Sequence, residues 1–135
     1  MFLMRGRMRW GALGLAGFLA VAAPVFAFAL PDLEALSKLE KGRWQLRDAA
    51  GESRSICLGD PVALVQLEHA GISCDQEILA SGKGNATVQY SCPGHGYGHT
   101  SIRVETPRLA RVDTQGLADG RPFSYRAEAR KVGTC

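Results

Sequence analysis

Apolar and polar residues alternate along most of the chain, and this pattern constrains the fold more than any other feature of the sequence. The alternating runs lie at 43–47, 55–58, 86–92, 101–105 and 123–130. Such alternation is typical of strands that bury one face of a sheet and expose the other. Turn-forming sequences separate the later runs, at Gly82–Gly84, Pro107 and Asp119-Gly120. The sequence therefore predicts a series of antiparallel hairpins.

The turns predict strand registers that agree with one another. A turn centred on Lys83 would pair Ala80 with Ala86, Ile78 with Val88, Gln76 with Tyr90 and Cys74 with Cys92. Turns at Pro107 and at Asp119-Gly120 would pair Val104 with Ala110, Ile102 with Val112, Gly116 with Phe123, Thr114 with Tyr125 and Val112 with Ala127. An earlier loop over Asp48–Glu52 would place Trp44 opposite Ile56. A false strand assignment would rarely give registers so consistent.

These hairpins predict a mainly β domain, an antiparallel meander of about seven strands with one apolar and one polar face. Each strand would pair with its sequence neighbour, so we expect the sheet to curl into a half-barrel or small barrel. Two short helices, over Pro31–Lys41 and Val62–Ala70, would cover it. Asp60-Pro61 is a favourable start for the second helix, and Gly71 is a favourable stop.

All four cysteines follow residue 30, and an even number in a short exported domain indicates disulfides. Opposed residues on antiparallel strands have Cα atoms roughly 4.5–5.5 Å apart, which is within disulfide range. The predicted register therefore favours a Cys74–Cys92 disulfide, which leaves Cys57 to pair with Cys135. A Cys57–Cys74 disulfide across the second helix is the alternative.

Residues 1–29 have the features of a secretory signal peptide. Three arginines form a basic start: Arg5, Arg7 and Arg9. The 21 residues from Trp10 to Leu30 are uncharged, and small residues make Ala27 and Ala29 suitable cleavage positions. We favour cleavage after Ala29, which leaves residues 30–135 as a single domain without a membrane anchor. An uncleaved anchor is the alternative, because 21 uncharged residues could just span a bilayer.

The charge balance argues against nucleic acid as a partner. The chain has 16 basic and 13 acidic residues, but three of the basic residues and none of the acidic ones lie in 1–29. Residues 30–135 are therefore formally neutral, and bulk charge gives no support for binding to nucleic acid or to an anionic membrane.

An ordered set of short motifs resembles a known family. The set consists of Gly42-Arg43-Trp44, Cys57-Leu58, Asp60-Pro61, Cys74, Tyr90–Gly94 and Gly133-Thr134-Cys135. It is similar to a family of small exported bacterial proteins catalogued only as a domain of unknown function, with a Gly-x-Trp start, a Cys-Pro-Gly element and a Gly-x-Cys end. The resemblance implies a periplasmic, β-rich protein of Gram-negative type, exported by the general secretory route. It implies no activity and no binding residues.

The segment from Cys92 to His99 suggests metal chemistry. His95 and His99 are four residues apart near a cysteine, and such side chains bind zinc or copper. The intervening glycines argue against a helix, and in a strand these positions would be separated by roughly 13 Å. We favour a flexible glycine loop with solvent-facing histidines. A metal-dependent hydrolase that uses His95 and His99 is the alternative.

The sequence favours a binding protein over an enzyme, because no spacing indicates a catalytic serine, a carboxylate pair or a phosphate loop. Four aromatic residues share the apolar face and could line a pocket or form the core: Trp44, Tyr90, Phe123 and Tyr125. Charged residues on the polar face, such as Arg103 and Glu105, are interpreted as solvated. We predict a non-enzymatic module, without a cofactor, that binds an apolar small molecule or an envelope protein. An inhibitor of a secreted hydrolase and a structural envelope component are further alternatives.

Overall fold

The computed structural model describes residues 33–135 as one antiparallel sheet with short helical segments. The elements are α1 (Glu34–Ser37), β1 (Gly42–Asp48), β2 (Ser53–Leu58), two 3-10 helices (Pro61–Leu64 and Leu67–His69), β3 (Asp75–Ser81), β4 (Asn85–Cys92), β5 (Gly96–Thr106), β6 (Leu109–Ala118) and β7 (Arg121–Gly133). The predicted signal peptide, its cleavage positions and the start of the first predicted helix lie outside the described residues.

The seven predicted strands are confirmed, but one predicted pairing is wrong. The strand order is β2-β1-β7-β6-β5-β4-β3, and every neighbouring pair is antiparallel. The meander therefore runs from β3 to β7, and β2 does not pair with β3. Instead β1 adds to β7, where the buried residues Leu46 and Ala129 lie opposite each other. Because β2 and β3 are both edges, the sheet is not closed; the small barrel is unconfirmed and the half-barrel curl stays a prediction.

The predicted registers hold in the interior of the hairpins and shift near two turns. Ile78 lies opposite Val88 as predicted, but Ala80 lies opposite Thr87 rather than Ala86, and the register shifts between Ile78 and Ala80. Gly82 N–H donates to the Asn85 carbonyl (2.8 Å), so the turn centres between Lys83 and Gly84 and not on Lys83. A bulge absorbs the extra residue and restores the phase of the strand.

The register also shifts near the turn after Thr106. Val104 still lies opposite Ala110, but Thr106 lies opposite Leu109, and the register shifts at Glu105. The Asp119-Gly120 turn needs no such correction. Asp119 and Gly120 have φ of 49° and 78°, the conformation of a tight two-residue hairpin turn, and the registers predicted around it are confirmed.

The core lies on one face of the sheet, where α1 and the 3-10 helices cover it. Its largest fully buried apolar side chains are Trp44, Tyr90, Leu36, Leu46, Leu58, Leu64, Val65, Val88 and Val112. We call this the inner face, and the opposite, charged face the outer face. No helix within residues 33–135 is long and apolar enough to cross a membrane.

The second predicted helix, Val62–Ala70, forms two separate 3-10 turns instead. Its start is as expected, because the Asp60 carboxylate accepts from Val62 N–H (2.9 Å). The break comes at Gln66, whose backbone is not helical and whose side-chain amide donates to the carbonyls of His69 and Ile72. The first predicted helix is also shorter, since within the described residues only Glu34–Ser37 is helical.

Both predicted disulfides are present. Cys74–Cys92 joins the start of β3 to the end of β4, and Cys57–Cys135 joins β2 to the chain terminus. The alternative Cys57–Cys74 pairing is therefore wrong, and none of the four cysteines is free. Two disulfides in a small domain indicate an oxidising compartment.

Candidate functional site

Two of the four aromatic residues predicted as a ligand face are core residues. Trp44 and Tyr90 are fully buried, and Trp44 Nε1 donates to the Glu40 carbonyl (2.9 Å). Both rings belong to one core cluster with leucine and valine side chains of α1 and the 3-10 helices. The chain itself therefore covers this part of the inner face.

The other two, Phe123 and Tyr125, lie partly buried near the start of β7. The Arg54 guanidinium lies over the Tyr125 ring, 4.3 Å from its centre, and Arg54 Nη2 donates to Glu68 Oε1 (2.9 Å). The Phe123 ring meets the His69 ring edge-on, with the ring centres 6.0 Å apart. Both rings thus have partners within the chain, of the cation–π and aromatic kinds.

His69 links the second 3-10 helix to the sheet and is only 2 % exposed. Its Nε2 lies 3.0 Å from the His95 carbonyl, and because a carbonyl only accepts, Nε2 carries the proton. Nδ1 therefore accepts from the Tyr90 hydroxyl, 3.2 Å away. Burial raises the pKa of Tyr90 above its ordinary value. His69 falls near the end of the predicted helix over Val62–Ala70, and its burial against the sheet was not predicted.

Two threonine hydroxyls are buried in the same core. Thr100 Oγ1 donates to the Val65 carbonyl (2.6 Å), so the hydroxyl of Thr114, 2.7 Å away, is the donor between the two threonines. Both hydroxyls are therefore satisfied where water is excluded, which fixes the position of the first 3-10 helix on the sheet.

The two histidines proposed as metal ligands lie apart in the structure. His95 is in the β4–β5 turn, where its Nδ1 lies 3.5 Å from Asp119 Oδ1. His99 is on the outer face of β5, opposite Gln89 and Gln115 on the neighbouring strands. In residues 33–135 no three histidine, cysteine or acidic side chains are grouped to hold a metal ion.

The two glycines between these histidines, Gly96 and Gly98, belong to a strand and not to the flexible loop that the sequence suggested. β5 begins at Gly96, and Gly98 lies opposite Tyr90. A Cβ at Gly98 would overlap the Tyr90 ring, and one at Gly116 would overlap the backbone of Tyr97. Glycine is therefore required here for close approach of backbone and ring, not for flexibility.

An open groove with a volume of about 1160 Å³ lies on the outer face. It crosses β4, β5, β6, β7 and β1 and includes charged or polar residues of each strand. Five side chains directly opposite one another form a row along it: Arg47, Glu128, Arg111, Arg103 and Asn85. We call this set the arginine row.

Three carboxylates in or beside the arginine row are already bound by arginines of the chain. The pairs are Arg111–Glu105 (2.8 Å), Arg126–Asp113 (2.7 Å) and Arg130–Glu128 (3.0 Å). The fourth carboxylate of the groove, that of Asp48, accepts from Glu52 N–H (2.9 Å). Among the described residues, Arg47 and Arg103 form no ion pair, and both side chains are exposed.

One strand pairing within the groove places two like charges opposite each other. Arg103 on β5 lies directly opposite Arg111 on β6. Like charges at directly opposed positions of an antiparallel pair destabilise the pair. Arg111 is compensated by Glu105, whereas Arg103 has no carboxylate partner in the part of the chain that the structure describes. An unfavourable pairing of this kind is more often found at functional sites than elsewhere, so we take the groove as the candidate functional site.

Sequence reasoning missed the groove because it interpreted Arg103 and Glu105 as solvated charges. The signal was available, since the predicted registers around Pro107 and Asp119-Gly120 already place Arg103, Arg111 and Glu128 in one row. The contribution of Arg47 was not available, because the pairing of β1 with β7 was not predicted.

Comparisons of the chain with protein-family models, curated proteins and solved structures found no match. The resemblance to a family of exported proteins stays a prediction.

Proposed function

We propose that this protein is a non-enzymatic binding module of the periplasm that holds an envelope protein in the outer-face groove. The observation that carries the proposal is a groove of about 1160 Å³ on a face that no element of residues 33–135 covers. Two of its arginines form no ion pair within those residues. In contrast, the inner face on which an apolar ligand was expected is covered by α1 and the 3-10 helices.

The shape and charge of the groove fit a protein segment. Five strands at their usual spacing give the groove a width of roughly 19 Å, enough for an extended stretch of chain. Four arginines and four carboxylates line it, so it lacks the excess positive charge of a nucleic-acid site. Arginine and exposed tyrosine are enriched at protein interfaces, and Tyr97, 53 % exposed, lies on the same face of β5.

Site-specific photocrosslinking in living cells tests this function. A photoreactive residue at Ser101, within the groove, is expected to give one adduct of defined mass with an envelope protein. The matched control is Glu77, which is exposed on β3 and outside the groove. No adduct at Ser101, or the same adducts at both positions, would contradict the proposal.

The proposed location rests on the signal-like N-terminus together with the two disulfides. Intact-mass measurement of protein from the periplasmic fraction checks it. The expected species begins at Leu30 and lacks four hydrogens relative to the reduced chain, because two disulfides are formed. A full-length or reduced chain in the cytoplasm would overturn this part of the proposal.

A further inference from the structure

We infer that Arg103 and Arg111 form an anchor for an oxyanion of the partner, namely the carboxylate of an acidic side chain. This inference rests on the proposed function, because it names the chemistry by which the groove would recognise a protein segment. Its experiment is chosen so that the anchor and the function can fail separately.

The strand pairing places two arginines at directly opposed positions, and within residues 33–135 only one of them has an ion-pair partner. Arg103 and Arg111 lie on adjacent strands at directly opposed positions, both in the lining of the groove. Arg111 donates through Nε to Glu105 Oε1 (2.8 Å), which leaves its two Nη groups available. Arg103 makes no ion pair within residues 33–135, so its whole guanidinium is available. A guanidinium presents donors in a planar fork that matches a carboxylate.

The carboxylates nearby do not supply this partner. Glu105 is bound by Arg111, Asp113 by Arg126 and Glu128 by Arg130. Asp48, at the β1 end of the groove, is used by the backbone of its own turn. An external carboxylate would therefore relieve the repulsion between Arg103 and Arg111 without displacing an existing ion pair.

The remaining members of the row extend the anchor. Asn85, opposite Arg103, offers an amide donor, and Arg47 lies at the other end of the row beyond Glu128. The order of these side chains favours a segment whose acidic residues meet Arg103, Arg111 and Arg47. A single small anion would use only the Arg103–Arg111 part of the groove.

Titration of the mature protein with a hexaglutamate peptide tests the anchor. Arginine Nε–Hε signals in NMR spectra report each guanidinium separately, and inorganic phosphate serves as a second probe. Hexaglutamate is expected to shift the Arg103 and Arg111 signals in a saturable, salt-sensitive manner. Competition by phosphate would show that a small oxyanion shares the site, and its absence would restrict the site to the peptide carboxylate.

The variant Arg103→Gln is expected to weaken hexaglutamate binding about tenfold or more, since a hydrogen bond to a charged group is lost. The matched control is Arg121→Gln, an exposed arginine on β7 outside the groove lining, which is expected to bind like the unmodified protein. Equal affinity of the two variants, or shifts spread evenly over all arginines, would overturn the anchor.

The crosslinking at Ser101 separates the two proposals. If the Ser101 adduct forms while hexaglutamate does not shift Arg103, the groove binds a protein and the anchor is wrong. If hexaglutamate binds through Arg103 while no adduct forms, the oxyanion site is present and the proposed function is wrong.

Discussion

Polar side chains on the two faces of the sheet differ in whether the chain supplies their partners. On the inner face, His69, Thr100 and Thr114 are each buried, and each has hydrogen-bond partners within the chain. On the outer face, Arg103 is exposed, lies opposite another arginine and has no carboxylate partner among residues 33–135. The inner face is therefore organised for folding, whereas the outer face retains an arrangement that folding alone would not favour.

The two disulfides repeat this contrast. Cys92 is 1 % exposed and belongs to the inner core, so Cys74–Cys92 lies within the packing of the sheet. Cys57 and Cys135 are both exposed, and their disulfide ties β2 to the end of the chain across a separation of 78 residues. One disulfide thus belongs to the core and the other closes the edge of the sheet.

The largest expected effect is that of an inner-face deletion, Trp44→Ala. The side chain is fully buried, so we expect a loss of about 3–5 kcal/mol in the free energy of unfolding. That is a large part of the stability of a domain of this size. Urea denaturation measures it, with Ser55→Ala, an exposed residue of β2, as the control expected to change stability by less than about 0.5 kcal/mol. Similar losses for both would contradict the assignment of the core.

Removal of each disulfide comes next. Chain entropy predicts a loss of about 4.5 kcal/mol for Cys57→Ala/Cys135→Ala and about 3 kcal/mol for Cys74→Ala/Cys92→Ala, because the first closes the longer loop. The exposed disulfide is also expected to be reduced first by a mild thiol, because the attacking thiolate needs access. Mass spectrometry after alkylation measures the order. Earlier alkylation of Cys74 and Cys92 would be the contrary result.

The third effect concerns Tyr90, whose pKa is raised by burial. The folded state therefore holds the phenolic proton more tightly than the unfolded chain. The stabilisation is fully present below the unfolded pKa of about 10 and is lost as the pH rises toward the folded pKa. Tyr90→Phe is expected to flatten this alkaline loss and to cost about 1–3 kcal/mol near neutral pH, because His69 Nδ1 loses its donor.

Thermal unfolding between pH 7 and 11 measures both consequences of Tyr90→Phe. The control Tyr97→Phe, on the exposed outer face, is expected to retain the alkaline loss. If Tyr90→Phe and the unmodified protein lose stability in parallel above pH 10, Tyr90 does not carry the effect.

The inner face could be predicted from the sequence because alternation and turn chemistry are local signals. All the strand pairs predicted from the Asp119-Gly120 turn, as far as Val112 opposite Ala127, are confirmed. The Cys74–Cys92 disulfide was predicted from a strand register in the same way and is also present. Two turn centres were predicted wrongly, but the strand registers beyond them are still correct. A bulge beside each turn restores the phase of the apolar residues.

The outer face could be predicted only in part, because its organisation depends on which strands are neighbours. Alternation does not distinguish β1 pairing with β7 from β2 pairing with β3, since both bury the same apolar side chains. The place of Arg47 in the arginine row depends on that choice. The charge of Arg103 is visible in the sequence, but its lack of a partner is a property of the assembled sheet.

The smallest expected effect on stability is that of Arg103→Gln, and its sign is informative. Removing one charge from the Arg103–Arg111 pair relieves a repulsion, so we expect a change of less than about 0.5 kcal/mol, in the stabilising direction and larger at low salt. Arg121→Gln, which has no opposed arginine, is the control expected to show no such gain. A loss of more than about 1 kcal/mol, the scale of an internal ion pair or hydrogen bond, would show that Arg103 has a partner within the fold. If Arg103 binds a partner at a cost in stability, Arg103→Gln is expected to raise the free energy of unfolding and to weaken hexaglutamate binding.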